Sequence, residues 1–290
     1  MLTDLKKGEN CVIGQDVRFG EGVTLGHNCV IEDHVTLGAG CWIDSNTILR
    51  AGVTLGAGST VGANCILGES GTDVRRERPS SARPLTVGAN ALIRSGSILY
   101  EGSVIGERFQ TGHRVTIREE TEIGDSVSVG TLSDIQGHCR LGSHVRLHSS
   151  VHIGQLSRVD DFVWIYPYVV LTNDPTPPSS DFTGVHVCPF AIIATGAIVM
   201  PGLEIGQDCL VGAGAVVTKS VAPYTVAVGS PARAVSDVRS VRNRFTGEPA
   251  YPWRNHFGRY MPWEETGFAA WYASLDLEEK EARGIARLEE

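Results

Sequence analysis

Residues 23–49 read VTLGHNCVIEDHVTLGAGCWIDSNTIL, and their aliphatic residues return at every sixth position: Leu25, Ile31, Leu37, Ile43 and Leu49. The beat extends both ways, from Ile13 to Leu67, from Val87 to Leu171 and from Val187 to Val217. Of these 31 positions 30 are apolar, Thr111 being the exception, and a chain of 42% hydrophobic residues does not reach that regularity by chance. Glycine often follows the beat, as at Gly14, Gly20, Gly26 and Gly106, where the lack of a Cβ suits a tight corner. Two residues before the beat the side chain is small or β-branched, as at Val23, Val35 and Val53, which gives period-two alternation inside each short segment. The pattern predicts very short strands joined by abrupt corners. Its period excludes a coiled coil or a sandwich.

This repeat resembles that of the hexapeptide-repeat family, whose chains wind as a left-handed parallel β-helix. The resemblance covers about residues 11–235. It implies an all-β fold, a left-handed parallel β-helix of about ten coils with a short mixed, partly helical C-terminal cap. Residues 1–235 then form the β-helix domain, with excursions at 69–84 and 172–186, and residues 236–290 form an aromatic-rich cap over its open end. That tail holds Trp253, Trp263 and Trp271, and its last stretch, LDLEEKEARGIARLEE, reads as a short charged helix.

Composition narrows the partners. A net charge of −8 without an extended basic stretch argues against nucleic acid or an anionic membrane surface. No apolar run is long enough for a membrane span, and the first residues carry no signal-peptide core, so the expected protein is soluble and cytoplasmic. Six of the seven cysteines (Cys11, Cys29, Cys41, Cys65, Cys139 and Cys209) stand two residues before a beat, where free cysteine packs as a small hydrophobe. Cys188 alone departs from that pattern.

The passage IGQDCLVGAGAVVTKSVAPYTVAVGSPARAV, residues 205–235, is similar to the closing coils of hexapeptide acyltransferases. The resemblance implies an acetyl-CoA site between subunits of a homotrimer. Ala194, Gly196, Gly212 and Ala213 would let the pantetheine arm approach the backbone, and Lys219 and Arg233 would meet the coenzyme phosphates. The passage DDFVWIYPYVVLTNDPTPPS, residues 160–179, resembles the segment that opens the active-site loop in the branch that N-acetylates amino sugars carried on nucleoside diphosphates. Asn173 is thereby implicated in orienting the acceptor or the thioester, and Asp174 in orienting the amine or taking its proton. Asx residues before a proline are also ordinary turn formers. Arg75 and Arg76, in the first excursion, and Tyr166 are the expected substrate contacts.

The resemblance therefore implies acetyl-CoA-dependent N-acetylation of a nucleotide-linked amino sugar. O-acetylation of a sugar or small-metabolite hydroxyl is the alternative. It needs a base, for which His113, His148 and His186 are the candidates. A non-catalytic solenoid scaffold and a zinc enzyme of the carbonic-anhydrase type remain as further readings. The histidine spacing disfavours the latter, and no metal is expected.

Overall fold

The six-residue beat marks the side chains that turn inward. Leu25, Ile31, Leu37, Ile43 and Leu49 are all essentially excluded from solvent, and so are the cysteines Cys29, Cys41, Cys65, Cys139 and Cys209 two residues before a beat. The computed structural model describes residues 5–71, 83–286 and 288. Most of its strands are two residues long, and each pairs in parallel with the strand one coil on. The result is a parallel β-solenoid of about twelve turns, rather than the ten read from the repeat alone. Short strands suffice because, away from the ends, each is paired on both sides by its ladder neighbours and buries its beat residue.

The chain divides into two compact units that interleave at residues 140–152. In unit 1 three ladders alternate, headed by Lys6–Lys7, Val12–Ile13 and Arg18–Phe19; these are called the first, second and third. The lone polar beat, Thr111, is buried there too, and its hydroxyl accepts a hydrogen bond from the Arg94 amide at 2.8 Å. A polar side chain is tolerated at that place because its polar atom is satisfied. Each corner carries one residue in the left-handed region. At Asn10, Asn28 and Asn46 this position becomes a ladder of side-chain amides, with hydrogen bonds of 3.2 and 3.1 Å.

Unit 2 continues the same scheme. Its first ladder runs Arg146–Leu147, Trp164–Ile165, Ile192–Ile193, Leu210–Val211 and Thr225–Val228, and it ends with the antiparallel strand Arg233–Asp237. Its second holds Val170–Leu171, Ile198–Val199 and Val216–Val217; its third holds Arg158–Val159, His186–Val187 and Glu204–Ile205. The second excursion lies at a corner from second ladder to third, between Leu171 and His186.

The C-terminal tail packs along the first ladder of unit 2. Trp253, Met261, Trp263 and Ile285 form one cluster with Phe162, Phe190 and Ile192, with Trp164 and Leu210 packed against it. The tail thus covers the outward face of the first ladder, whose apolar column needed a partner. The strand Thr225–Val228 is instead covered through Tyr224, Val226 and Val238. Two short helices complete the tail, α1 (Phe268–Ser274) and α2 (Leu277–Ala282). Helix α2 is the charged helix expected, and a capping box between Asp276 and Glu279 starts it. Among the described residues no helix is long and apolar enough to cross a membrane.

Candidate functional site

In unit 1 the corners from first to second ladder enclose a cleft of about 560 Å³ lined by Asn64, Ser95, Gly96, His113, Arg114, Thr131 and Leu132. Stacked corners place these residues. The Arg114 amide donates to Ser95 O at 3.1 Å, the Leu132 amide to His113 O at 3.0 Å and the His113 amide to the Thr131 hydroxyl at 3.2 Å. The His113 and Arg114 side chains are exposed along it. His148 belongs to the following coil of the same unit. Its carbonyl accepts from Ser133 Oγ at 2.9 Å, and the Ser150 amide bonds Thr131 O at 2.9 Å. Burial holds the His148 imidazole below its ordinary pKa, so at neutral pH it is an uncharged ring. An uncharged imidazole can accept a proton.

The loop candidates behave differently from one another. The Asp174 carboxylate accepts from the Thr176 amide at 3.0 Å, the Ser179 amide at 2.9 Å and the Ser179 hydroxyl at 2.7 Å. Those bonds, the Ser179 hydroxyl foremost, hold its pKa below the usual carboxylate value. This geometry builds the turn. Asn173 is half-buried, its carbonyl taken by the Thr183 amide at 2.9 Å. Gly154 stands beside it, and a Cβ on that glycine would lie 3.1 Å from Asn173 Cβ.

His186, at the loop's far end, lies between two carboxylates. Its Nε2 is 2.8 Å from Asp160 Oδ2 and its Nδ1 is 3.4 Å from Glu204 Oε2. The Asp160 hydrogen bond raises the imidazole pKa. With both ring nitrogens engaged by carboxylates, this imidazole makes a poor general base.

The residues carried over for the coenzyme fall on two corners of unit 2. Ala194, Gly196, Gly212 and Ala213 follow first-ladder strands. The Gly196 amide bonds Pro167 O and the Gly214 amide bonds Thr195 O, both at 2.9 Å. Gly196 and Gly214 both have left-handed φ, and a Cβ on either would meet open space. Gly212 has a packing role, since a Cβ there would stand 2.6 Å from Val228 Cγ1. Lys219 follows a second-ladder strand and is exposed, as is Arg233, whose Nη1 donates to Ala232 O at 2.8 Å. Tyr166 is half-buried against the aromatic cluster under the tail. Arg75 and Arg76 lie outside the described residues. Arg83, from the same excursion, pairs with Glu120.

Sequence reasoning missed Asn64, Arg114 and Thr131 as lining residues, because no local motif marks a cleft made by stacking turns 18 or more residues apart. It also missed the grouping of Asp160 and Cys188 with His186. Cys188's departure from the cysteine pattern was the available signal.

Residues 8–39 and 34–69 match the family described as bacterial transferase hexapeptide (six repeats), and residues 194–219 match the hexapeptide repeat of succinyl-transferase. The chain is 30% identical over 113 residues to serine acetyltransferase of Salmonella typhimurium, covering 38% of this chain and 41% of that protein. It is 41% identical over 56 residues to a chloramphenicol acetyltransferase of Escherichia coli, covering 19% and 24% of the two chains. It spans from about a fifth to about half the length of the curated relatives it matches. The structure of UDP-N-acetylglucosamine acyltransferase from Arabidopsis shares its fold, with a TM-score of 0.50 and 17% identity over 82% of this chain and 74% of that one.

Proposed function

We propose that this chain, which belongs to the hexapeptide-repeat family, is an acetyl-CoA-dependent acetyltransferase acting on a small polar acceptor in the His113 cleft. What carries the activity is the match of its repeat to transferase families, together with relatives that are themselves named acetyltransferases. What supports the site is a cleft of sugar size that offers a cation at Arg114 and hydrogen-bonding groups at Asn64, Ser95 and Thr131. Arg114 suits a phosphate or diphosphate on the acceptor. The acceptor we infer first is an amino group on a nucleotide-linked sugar, the reading carried by the Asn173–Asp174 passage.

The reaction joins the acceptor to the thioester carbonyl and releases coenzyme A thiol, and the acceptor loses one proton on the way. An amine needs only to arrive neutral. A hydroxyl needs a positioned base, typically worth about 10²–10⁴-fold in rate. The uncharged, half-buried His148 favours this second reading, O-acetylation, because its environment keeps the imidazole free of a proton at neutral pH. In unit 2 the open corners at Gly196 and Gly214 offer the close backbone approach that a pantetheine arm requires, with Lys219 and Arg233 as exposed cations for its phosphates.

Thiol release from acetyl-CoA, measured with amino-sugar nucleotides and with neutral sugars across a pH series, tests the proposal. With a hydroxyl acceptor, kcat/KM falls as pH drops through a value below the ordinary imidazole pKa and is flat above it, and His148→Gln removes most of the rate. With an amine acceptor the rate keeps rising into the alkaline range toward the amine's own pKa. Absence of acceptor-dependent thiol release with either panel would sink the acetyltransferase reading.

A further inference from the structure

On the third ladder of unit 2, Arg158, His186 and Glu204 stand in register on the outward side of successive strands. Asp160 and Cys188 follow on the corner, where the Asp160 amide bonds Val187 O and the Cys188 amide bonds Ile205 O, both at 2.8 Å. One carboxylate oxygen, one imidazole nitrogen and one thiol sulfur, from Asp160, His186 and Cys188, all lie within 4.8 Å of one another, and all three residues are half-buried. We propose that these three residues form a binding site for a divalent transition-metal ion of the zinc class, independent of the acetyl-transfer cleft.

The partners of each ligand support that assignment. Arg158 Nε donates to Asp160 Oδ1 at 2.7 Å, which leaves Oδ2 turned to His186 Nε2. Glu204 engages Nδ1, so the nitrogen facing Asp160 is Nε2. That is the carboxylate–histidine arrangement that orients a metal-binding imidazole. In the apo protein a proton sits between Nε2 and Oδ2, and the metal takes its place. Tetrahedral zinc with bonds of about 2.0–2.3 Å sets ligand atoms roughly 3.3–3.8 Å apart, so side-chain torsions need to move them by only about 1 Å.

Charge points the same way. Once the imidazole and the thiol have given up their protons, two carboxylates and a thiolate face one guanidinium, a net charge that one divalent cation neutralises. A bound cation deprotonates a coordinating thiol outright. Sulfur and imidazole donors select zinc, cobalt or iron over magnesium or calcium. The competing account is a plain ion pair of His186 with its two acids.

Cobalt(II) titration of chelator-stripped, reduced protein separates the two accounts. The site predicts a saturable near-ultraviolet charge-transfer band from thiolate to cobalt, at one ion per chain, that zinc abolishes by displacement. Cys188→Ser removes the band although the other six cysteines remain. Asp160→Asn keeps the band but weakens binding more than tenfold, and Glu204→Gln weakens it about 10–100-fold through the imidazole. Melting of the metal-free variants shows that they fold, and Glu204→Gln, which changes no ligand, tests the site even where a ligand variant does not. No saturable band in the parent protein, or the same band in Cys188→Ser, overturns the proposal.

Discussion

Phe162 and Phe190 occupy corner positions with φ of 64° and 62°, a region that costs a non-glycine residue on the order of 1–2 kcal/mol. The chain tolerates them because what the rings gain is larger. They stack at 5.0 Å with planes 8° apart, and Trp263 and Trp253 close over them. The Arg254 guanidinium lies 5.1 Å from the centre of the Phe190 ring, and its charge is matched by the buried carboxylate of Asp208. Phe190→Ala should therefore destabilise the protein by about 3–5 kcal/mol, since it leaves a cavity at a fully buried site and uncovers a buried ion pair. Urea unfolding followed by tryptophan fluorescence measures this. A loss below about 1 kcal/mol would mean that the tail does not depend on the stack. The inward residues were legible from the beat alone. These corner aromatics were not, because a six-residue period says which side chains turn inward and nothing about what covers the outside.

At the scale of the element, the 172–186 excursion separates two roles that its sequence presents as one pair. Asp174 gathers three hydrogen bonds from within the loop, whereas the Asn173 backbone ties the loop's two ends together through Thr183. Asn173→Ala should lower kcat with little change in the KM for acetyl-CoA if its side chain positions the acceptor, a loss of about 2–4 kcal/mol in transition-state stabilisation. Asp174→Ala should instead loosen the loop. It is expected to speed limited proteolysis there and to lower kcat by a smaller factor. Neither variant should shift Tm by more than about 2 °C, because the loop lies outside the packed coils. Full turnover in Asn173→Ala would confine the pair to turn chemistry. The sequence located this loop, by the break in its beat. It did not show that the Asp174 carboxylate is taken up by bonds within the loop, since asparagine and aspartate share the same turn propensity and differ here in what they bond.

The logic of covered columns extends to the whole molecule. In unit 2 the outward residues Trp164, Ile192 and Leu210 are apolar, and the C-terminal tail packs on them. The second ladder shows a similar column with no such cover among the described residues. In unit 1 Val12, Val30, Ile48, Ile66 and Ile98 point outward on successive strands before the column turns polar at Thr116, Asp134 and His152, and in unit 2 Val170, Ile198 and Val216 point outward. The third ladder of unit 1 is mostly polar, presenting Arg18, Thr36, Thr54, Thr86 and Glu122 with Val104 as the apolar exception. A contiguous apolar face such as the run from Val12 to Ile98 marks an interaction site. We propose that a second and a third copy of the chain cover it, as the homotrimer implied by the family resemblance requires. Ile48→Glu combined with Ile66→Glu should then convert the trimer to a monomer, because two charges on each subunit would be buried without partners. Light scattering on the parent and the double variant decides the matter, with circular dichroism to show that the coils remain. A parent chain that is monomeric at micromolar concentration would remove both the trimer and any acetyl-CoA site shared between subunits. It would leave the metal-binding prediction at Cys188 untouched, because all of that site's ligands come from one chain.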